Sequence, residues 1–411
     1  MIKKITIDQV RRGMYVHELC GSWLNNPFWA TSFALDSQEH VQKLLSSGIR
    51  ELWIDLRKGL DVLGAAPLHD APPPAAQQPE PEPAPEPAPF RFPPVAAASM
   101  SEELQRAAKL VKQSKQAITS MFNDVRMGRL QDFDTMAPLV EEIATSVMRN
   151  PGALVSLVRL KQADDYTYLH SVAVSAMMVA LARQLKLDDA AVRDCGMAGL
   201  LHDIGKMAIP PAILNKPGKL TDEEFGTVKN HPCAGHDILA AAGNAPAMAL
   251  DVCLHHHEKY DGSGYPHGLR GEDISLHARM GAICDVYDAI TSNRPYKAGW
   301  CPAESLRRMA EWAKAGHFDQ KLFAAFVKCI GIFPVGTLVM LKSGRLAVVV
   351  DNSKSLLQPL VRVFYSSRSM TYLKPETLDL ATSPAPDAIA SREDAEKWGV
   401  GDISRYWLEA A

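Results

Sequence analysis

The 411-residue sequence carries almost no net charge: 44 Lys and Arg stand against 47 Asp and Glu, a formal balance of −3. It lacks the broad basic field that draws proteins onto DNA or RNA duplexes, so an anionic ligand must be met by local Lys, Arg or metal. No apolar run reaches the roughly 18 residues of a membrane span. The N-terminus, Met1-Ile-Lys-Lys-Ile-Thr-Ile-Asp8, is charged at position 8 and does not read as a signal peptide. Cysteine pairing is missing too. Cys20, Cys195, Cys233, Cys253, Cys284, Cys301 and Cys329 form no C-x-x-C pair, which argues for reduced thiols in a cytoplasmic protein. Cys195, Cys253 and Cys284 lie near the histidine-bearing segments of the chain and read as small core residues, because free Cys is usually buried.

A hydrophobic content of 47% is enough for a real core, and the length allows two to four domains. Residues 1–66 read as a small α/β module. Ile5 and Ile7 alternate with polar residues as in a half-buried strand. Ser37 caps a short helix through Ser47, Gly48 stops it, and residues 49–55 return as a strand. His17 and His40 lie too far apart to suggest a site. Residues 67–99 are a Pro/Ala/Glu-rich spacer, in which proline fixes φ and removes backbone donors. Residues 100–150 are connecting helices. Ser101 opens the first of them, with a stripe of Leu104, Ala107, Leu110, Val111, Ala117, Ile118 and Met121 that fades near Gly128. That stripe packs on the helical region that follows or, alternatively, forms a homodimer. Residues 151–333 run helix after helix. Residues 334–411 form a β-rich extension, with a hairpin at Ser343-Gly344 and a further strand from Leu360 to Tyr365. The fold expected is mainly α.

The chemistry lies in five segments of the helical region: His202-Asp203-Ile204-Gly205-Lys206, then His231, then His255-His256-His257-Glu258, the turn Gly264-Tyr265-Pro266, and Asp285. His202 and Asp203 are neighbours that can flank one ion at a helix end. Lys206, four residues after His202, is expected on the same helix face, where its ammonium neutralises a phosphate oxygen. Taken singly, His170 or His231 would more often be a core or helix-start residue. Asp285 is harder to explain, because it sits in an apolar helix between Cys284 and Val286. A buried carboxylate without a cation costs several kcal/mol. Imidazole mixed with carboxylate suits transition metals and disfavours Mg and Ca. Metals held in this way can activate a water and polarise an oxygen of a bound anion.

From about Tyr166 to Lys297 the chain resembles the HD-GYP family, HD-domain metal phosphohydrolases that hydrolyse bacterial cyclic di-GMP. The resemblance rests on Tyr168-Leu-His170-Ser171, His202-Asp203-Ile-Gly-Lys206, His231-Pro232 with Gly235, His256-His257-Glu258, Asp261-Gly-Ser-Gly-Tyr265-Pro266, and Asp285-Val-Tyr-Asp288 continuing to Arg294-Pro-Tyr-Lys297. It implies an all-helical HD-domain core holding two divalent transition-metal ions, Fe first, with Mn, Ni, Co and Zn as alternatives. The ligands it implies are His170, His202, Asp203, His231, His256, His257 and Asp285, with Asp203 bridging. His255, His236, His267 and His277 match no ligand position. Some family members bind a third metal through a Glu one turn before the first His. Tyr166 stands there, and Asp164 and Asp165 fall off the His170 face, so two metals are expected. The resemblance assigns catalysis to His202, Asp203 and Lys206, and substrate contacts to Lys206, Tyr265, Arg294 and Lys297. It implies that cyclic di-GMP is opened to linear pGpG, and onward to GMP more slowly. It also implies that the Gly-Tyr-Pro loop meets diguanylate cyclase (GGDEF-type) partners. Residues 1–66 resemble the domain of unknown function that precedes HD-GYP domains in one bacterial subgroup. The alternative reading is a catalytically quiet cyclic di-GMP receptor.

Overall fold

In the computed structural model, the described residues are 2–20, 33–35, 37–45, 49, 51–62, 90–129, 132–159, 166–216, 218–292, 299–352, 355, 357–382 and 387–408. The chain divides into two compact units, Met1–Glu86 and Pro87–Ala411. In the first, β1 (Ile2–Thr6), β2 (Tyr15–Cys20), β3 (Phe33–Ala34) and β4 (Glu51–Asp55) form an antiparallel sheet in the order β1-β4-β2-β3. Helix α1 (Gln38–Leu45) begins where the Ser37 hydroxyl accepts from the His40 amide. Val41 and Leu44 from α1 join Ile5, Val16, Leu52 and Ile54 in one apolar core. Ser47 and Gly48, expected to end this helix, lie outside the described residues, as does the spacer from 67 to 89.

The second unit opens with α2 (Met100–Arg126), whose cap is Ser99 rather than Ser101. Ser99 has Glu102 three residues on, so the hydroxyl accepts from the Glu102 amide while the Glu102 carboxylate accepts from the Ser99 amide. The stripe on α2 is covered by its own chain: Ala107, Leu110, Ile118 and Met121 belong to the main helical core. That burial removes the stripe as a face for a second copy. Buried Glu103 accepts from Arg149 and from Ser146, tying α2 to α3 (Ala137–Arg149). Next come α4 (Pro151–Arg159), α5 (Tyr166–Gln184) and α6 (Asp189–Leu201). Every residue of α5 from Leu169 to Ala182 is buried, as befits a helix apolar on all sides. It passes close to α6 because Gly199 has no side chain; a Cβ there would lie 2.7 Å from the Ser175 Cα.

The helical run continues through α7 (Pro211–Leu214), α8 (Asp222–Lys229), α9 (His231–Ala242), α10 (Ala247–His255), α11 (Leu276–Thr291), α12 (Pro302–Lys314) and α13 (Gln320–Ile330). A five-stranded antiparallel sheet comes next, built from β5 (Leu338–Leu341), β6 (Arg345–Asp351), β7 (Leu360–Ser366), β8 (Thr371–Asp379) and β9 (Ile389–Arg392) in the order β8-β7-β6-β5-β9. Short helices α14 (Ala395–Trp398) and α15 (Arg405–Leu408) close the chain. Strand β6 is buried on both faces. Leu346, Val348 and Val350 pack with Met100, Leu104 and Trp407, while Ala347 and Val349 pack with Val361 and Val363. The hairpin at Ser343-Gly344 stands where the sequence pattern puts it. Strands β8 and β9 and the two terminal helices have no counterpart in that pattern.

Candidate metal centre

Five elements of the helical core converge on Asp203. Helix α6 ends at Leu201, with His202 as its C-cap, and a 3-10 turn from Ile204 to Ala208 succeeds it. This corrects the expectation for Lys206. The α-helix has already ended, so no i to i+4 face joins it to His202; the tighter turn instead brings its ammonium onto the Asp203 carboxylate. The turn lies against the start of α9 because both chain segments carry glycine at the crossing. A Cβ on Gly205 would sit 1.9 Å from the His231 carbonyl oxygen, and one on Gly235 would sit 2.5 Å from the Cys253 sulfur. Substituting either glycine forces apart the segments that bring Asp203 and His231 together.

Four imidazoles are oriented alike. Nδ1 of His202 faces the Gly199 carbonyl at 2.9 Å, that of His231 the Val228 carbonyl at 2.7 Å, and that of His256 the Cys253 carbonyl at 2.9 Å. A carbonyl only accepts, so each Nδ1 carries the proton and each Nε2 presents a lone pair. His170 turns its Nδ1 to the Asp288 carboxylate at 2.6 Å. All four Nε2 atoms face Asp203. Its Oδ2 lies 3.3 Å from both His170 and His202, and its Oδ1 lies 3.3 Å from His231 and 3.8 Å from His256. Asp285 adds an oxygen 3.0 Å from His170 Nε2. Two groups of donors therefore flank one carboxylate: His170, His202 and Asp285 on one side, His231, His256 and His257 on the other.

This arrangement suits cations and is poorly satisfied by itself. The Nε2 atoms of His231 and His256 stand 3.3 Å apart, two lone pairs facing each other. His202 Nε2 and Asp203 Oδ1 are buried without a hydrogen-bond partner. Each such orphan costs on the order of 1–3 kcal/mol. Burial, reinforced by the neighbouring imidazoles, holds His256 well below the usual histidine range. Burial likewise lowers His257 to about 4 against the pull of Asp285, so both rings are neutral donors at pH 7. At His170 burial also works against the charged form, yet hydrogen bonds to Asp203, Asp285 and Asp288 raise it to about 10. Three carboxylates there call for a positive charge. Asp285 stays ionised well below its usual range: burial opposes the charge, and the His170 bond together with the nearby His202 ring outweighs it. Nitrogen mixed with carboxylate oxygen in this way is a donor set for transition metals rather than for Mg or Ca.

Tyr265 stacks on His257, with ring centroids 4.8 Å apart, at the edge of the cluster. Gly264 lets its loop come this close; a Cβ would lie 2.3 Å from the Lys259 nitrogen. Arg294 and Lys297 lie outside the described residues, as do Asp164, Asp165 and the Tyr166 side chain. His255 bonds to Asp251 and faces His267, away from the ligand groups. Cys195, Cys253 and Cys284 are buried free thiols, all raised by burial, and none belongs to a donor group. Two further residues gain a role only from the structure. Asp288, one helical turn after Asp285, sets the His170 ring and accepts from Ser292. Glu258, 3% exposed, accepts from the His267 and Leu269 amides and so anchors the Gly-Tyr-Pro loop. The i+3 spacing to Asp285 is a sequence signal for the first, whereas the second needs the folded loop.

The family described as "HD domain" matches residues 139–322, and "Domain of unknown function (DUF3391)" matches residues 2–136. The chain is 53% identical to cyclic di-GMP phosphodiesterase PA4108 of Pseudomonas aeruginosa, over 100% of its own length and 97% of that protein. It belongs to the HD-GYP family. Within the family it is 41% identical to cyclic di-GMP phosphodiesterase response regulator RpfG of Xanthomonas campestris, over 42% of this chain and 47% of that one. It is 38% identical to 3'3'-cGAMP-specific phosphodiesterase 3 of Vibrio cholerae, over 42% of this chain and 37% of that one. Those two likenesses are partial; the first extends through both units.

Proposed function

We infer that this chain is a metal-dependent phosphodiesterase that hydrolyses cyclic di-GMP to linear pGpG, and onward to GMP more slowly. The observation that carries the reading is Asp203, a buried carboxylate whose two oxygens face two separate groups of imidazole nitrogens. In this reading His170, His202 and Asp285 would hold one divalent ion and His231, His256 and His257 a second, with the Asp203 carboxylate, which faces both groups, available to each, and Fe the first choice of metal. Such ions, when bound, supply positive charge to phosphoryl oxygens and lower the pKa of water towards neutrality.

The chain's own residues do the rest. Carbonyl-bound Nδ1 protons fix three rings with Nε2 turned inward, and Asp288 does the same for His170. Asp203 and Asp285 contribute two negative charges in a buried site, which offset much of the charge of two divalent ions. Lys206 is engaged with Asp203 and steadies it, and in this reading the phosphate-oxygen contact assigned to Lys206 shares that ammonium with the carboxylate. Tyr265 shapes the mouth, and Arg294 and Lys297 grip guanine and phosphate. The same reading has the Gly-Tyr-Pro loop meeting diguanylate cyclase partners. A cytoplasmic setting is supported by the free cysteines, and no described helix is long and apolar enough to cross a membrane.

Incubating metal-loaded protein with cyclic di-GMP and identifying products tests the reading. Accumulating pGpG supports it. Tight binding of unchanged cyclic di-GMP by metal-loaded protein would favour a quiet receptor instead.

A further inference from the structure

Lys229 ends α8, two residues before His231, and its side chain is placed unusually for an exposed lysine. Its ammonium lies 5.0 Å from the centre of the Phe225 ring, one turn back on the same helix, and 5.2 Å from the centre of the Tyr265 ring on the Gly-Tyr-Pro loop. Tyr265 is in turn stacked on His257. The ammonium therefore stands one ring away from the donor cluster, held between two π faces that attract a cation. Among the described residues no carboxylate pairs with it. Lys206, by contrast, is engaged with Asp203. A lysine tethered by rings rather than by an acid keeps its full charge available to an incoming anion. Phe225, 47% exposed, leaves its ring face open to the ammonium one turn on.

We propose that Lys229 is a substrate-binding residue, whose ammonium holds the phosphodiester of the cyclic dinucleotide that is not being cut. The proposal rests on the cyclic di-GMP reading above. A cyclic dinucleotide has two phosphodiesters, and only one can lie over the Asp203 cluster at a time. The other must lie beside the cluster, and Tyr265, stacked on His257, with Lys229 over its ring, stands beside it. An ammonium there contributes a charge-assisted contact to binding while leaving the reacting phosphorus untouched.

The test compares wild type, Lys229→Ala and Lys229→Arg on cyclic di-GMP and on bis(p-nitrophenyl) phosphate, which has a single phosphodiester. For Lys229→Ala, KM for cyclic di-GMP should rise about tenfold, the loss of one charge-assisted contact, with kcat nearly unchanged. Lys229→Arg should restore most of the loss. Both variants should cleave the single diester as wild type does and keep their metal. The wild-type KM should also rise with salt more steeply than that of Lys229→Ala. An unchanged KM in Lys229→Ala overturns the proposal. So does an equal fall of kcat on both substrates, which would make Lys229 a prop for the loop. A wild-type protein that cleaves the chromogenic diester but not cyclic di-GMP overturns the reading beneath it, and the proposal with it.

Discussion

An open cleft and a buried side-chain cluster of the second unit differ in a way that separates chemistry from space. The cleft, of about 770 Å³, lies between α12 and the C-terminal sheet, lined by Trp300, Glu304, Arg308, Arg392 and Glu393 among others. Its charges satisfy one another. Glu304 accepts from Arg307 and Arg392, and Glu393 accepts from the Trp398 indole. The Asp203 cluster is buried, and its polar atoms are left in want of a partner, with two imidazole lone pairs facing each other and an orphaned carboxylate oxygen. Unmet polar demand in a dry place marks a site better than volume does, because each unmet group costs free energy that only a ligand recovers.

Breaking the comparison at its strongest point should give the largest effect. Asp203→Ala should cut cyclic di-GMP hydrolysis by roughly a thousandfold or more and lower metal content, whereas Glu304→Ala in the cleft should leave both unchanged. Rates with elemental analysis check this, and metal retention at near-normal rate in Asp203→Ala would remove Asp203 from the bridging role. Asp288→Asn should cost about tenfold to a hundredfold in metal affinity or activity, since an outer carboxylate fixes its ligand's ring and basicity. Titration of metal-stripped protein reads that loss.

Asp203 and the six residues that meet around it are all present in motif order in the chain. Their types and spacing follow from metal chemistry, which tolerates few substitutes. Spacing alone does not supply the local geometry between them. A continuous helix would put Lys206 on the His202 face, but α6 stops at Leu201 and a 3-10 turn redirects the next five residues. Glu258 meets the His267 and Leu269 amides and Lys229 meets the Tyr265 ring only because a loop folds back onto them, and no local periodicity records those contacts. The C-terminal sheet is half legible. Buried β6 shows its apolar run plainly, while β8, Thr-Tyr-Leu-Lys-Pro-Glu-Thr-Leu-Asp, is mostly exposed and shows neither a run nor an alternation.

A milder prediction concerns the wall of the site. Gly264→Ala forces its Cβ against the Lys259 backbone and should shift the loop carrying Tyr265. The expected loss is about tenfold to a hundredfold in kcat/KM for cyclic di-GMP with metal content intact, because small misplacements at a binding wall are costly. Wild-type kinetics in this variant would remove the loop from substrate positioning.

The smallest effect belongs to the cleft. Hydrogen bonds from Arg307, against a little burial and with help from Arg392, hold Glu304 down at about 2, so the folded state prefers its ionised form. The stabilisation is present above the ordinary glutamate range and is lost as pH falls from there through about 2. For exposed pairs it is worth no more than about 1 kcal/mol. Urea midpoints of wild type and Glu304→Gln should differ slightly at pH 7 and converge towards pH 3. A gap that widens in acid would contradict the assignment.

The most direct test of the central claim titrates metal-stripped protein with Fe(II) or Mn(II) under anaerobic conditions, tracking bound metal and cyclic di-GMP hydrolysis together. The account predicts a rate that is negligible without metal, climbs with occupancy and levels off near two ions per chain, with pGpG as first product. Full activity in metal-free protein, or saturation of the Asp203 cluster with no hydrolysis, would contradict it.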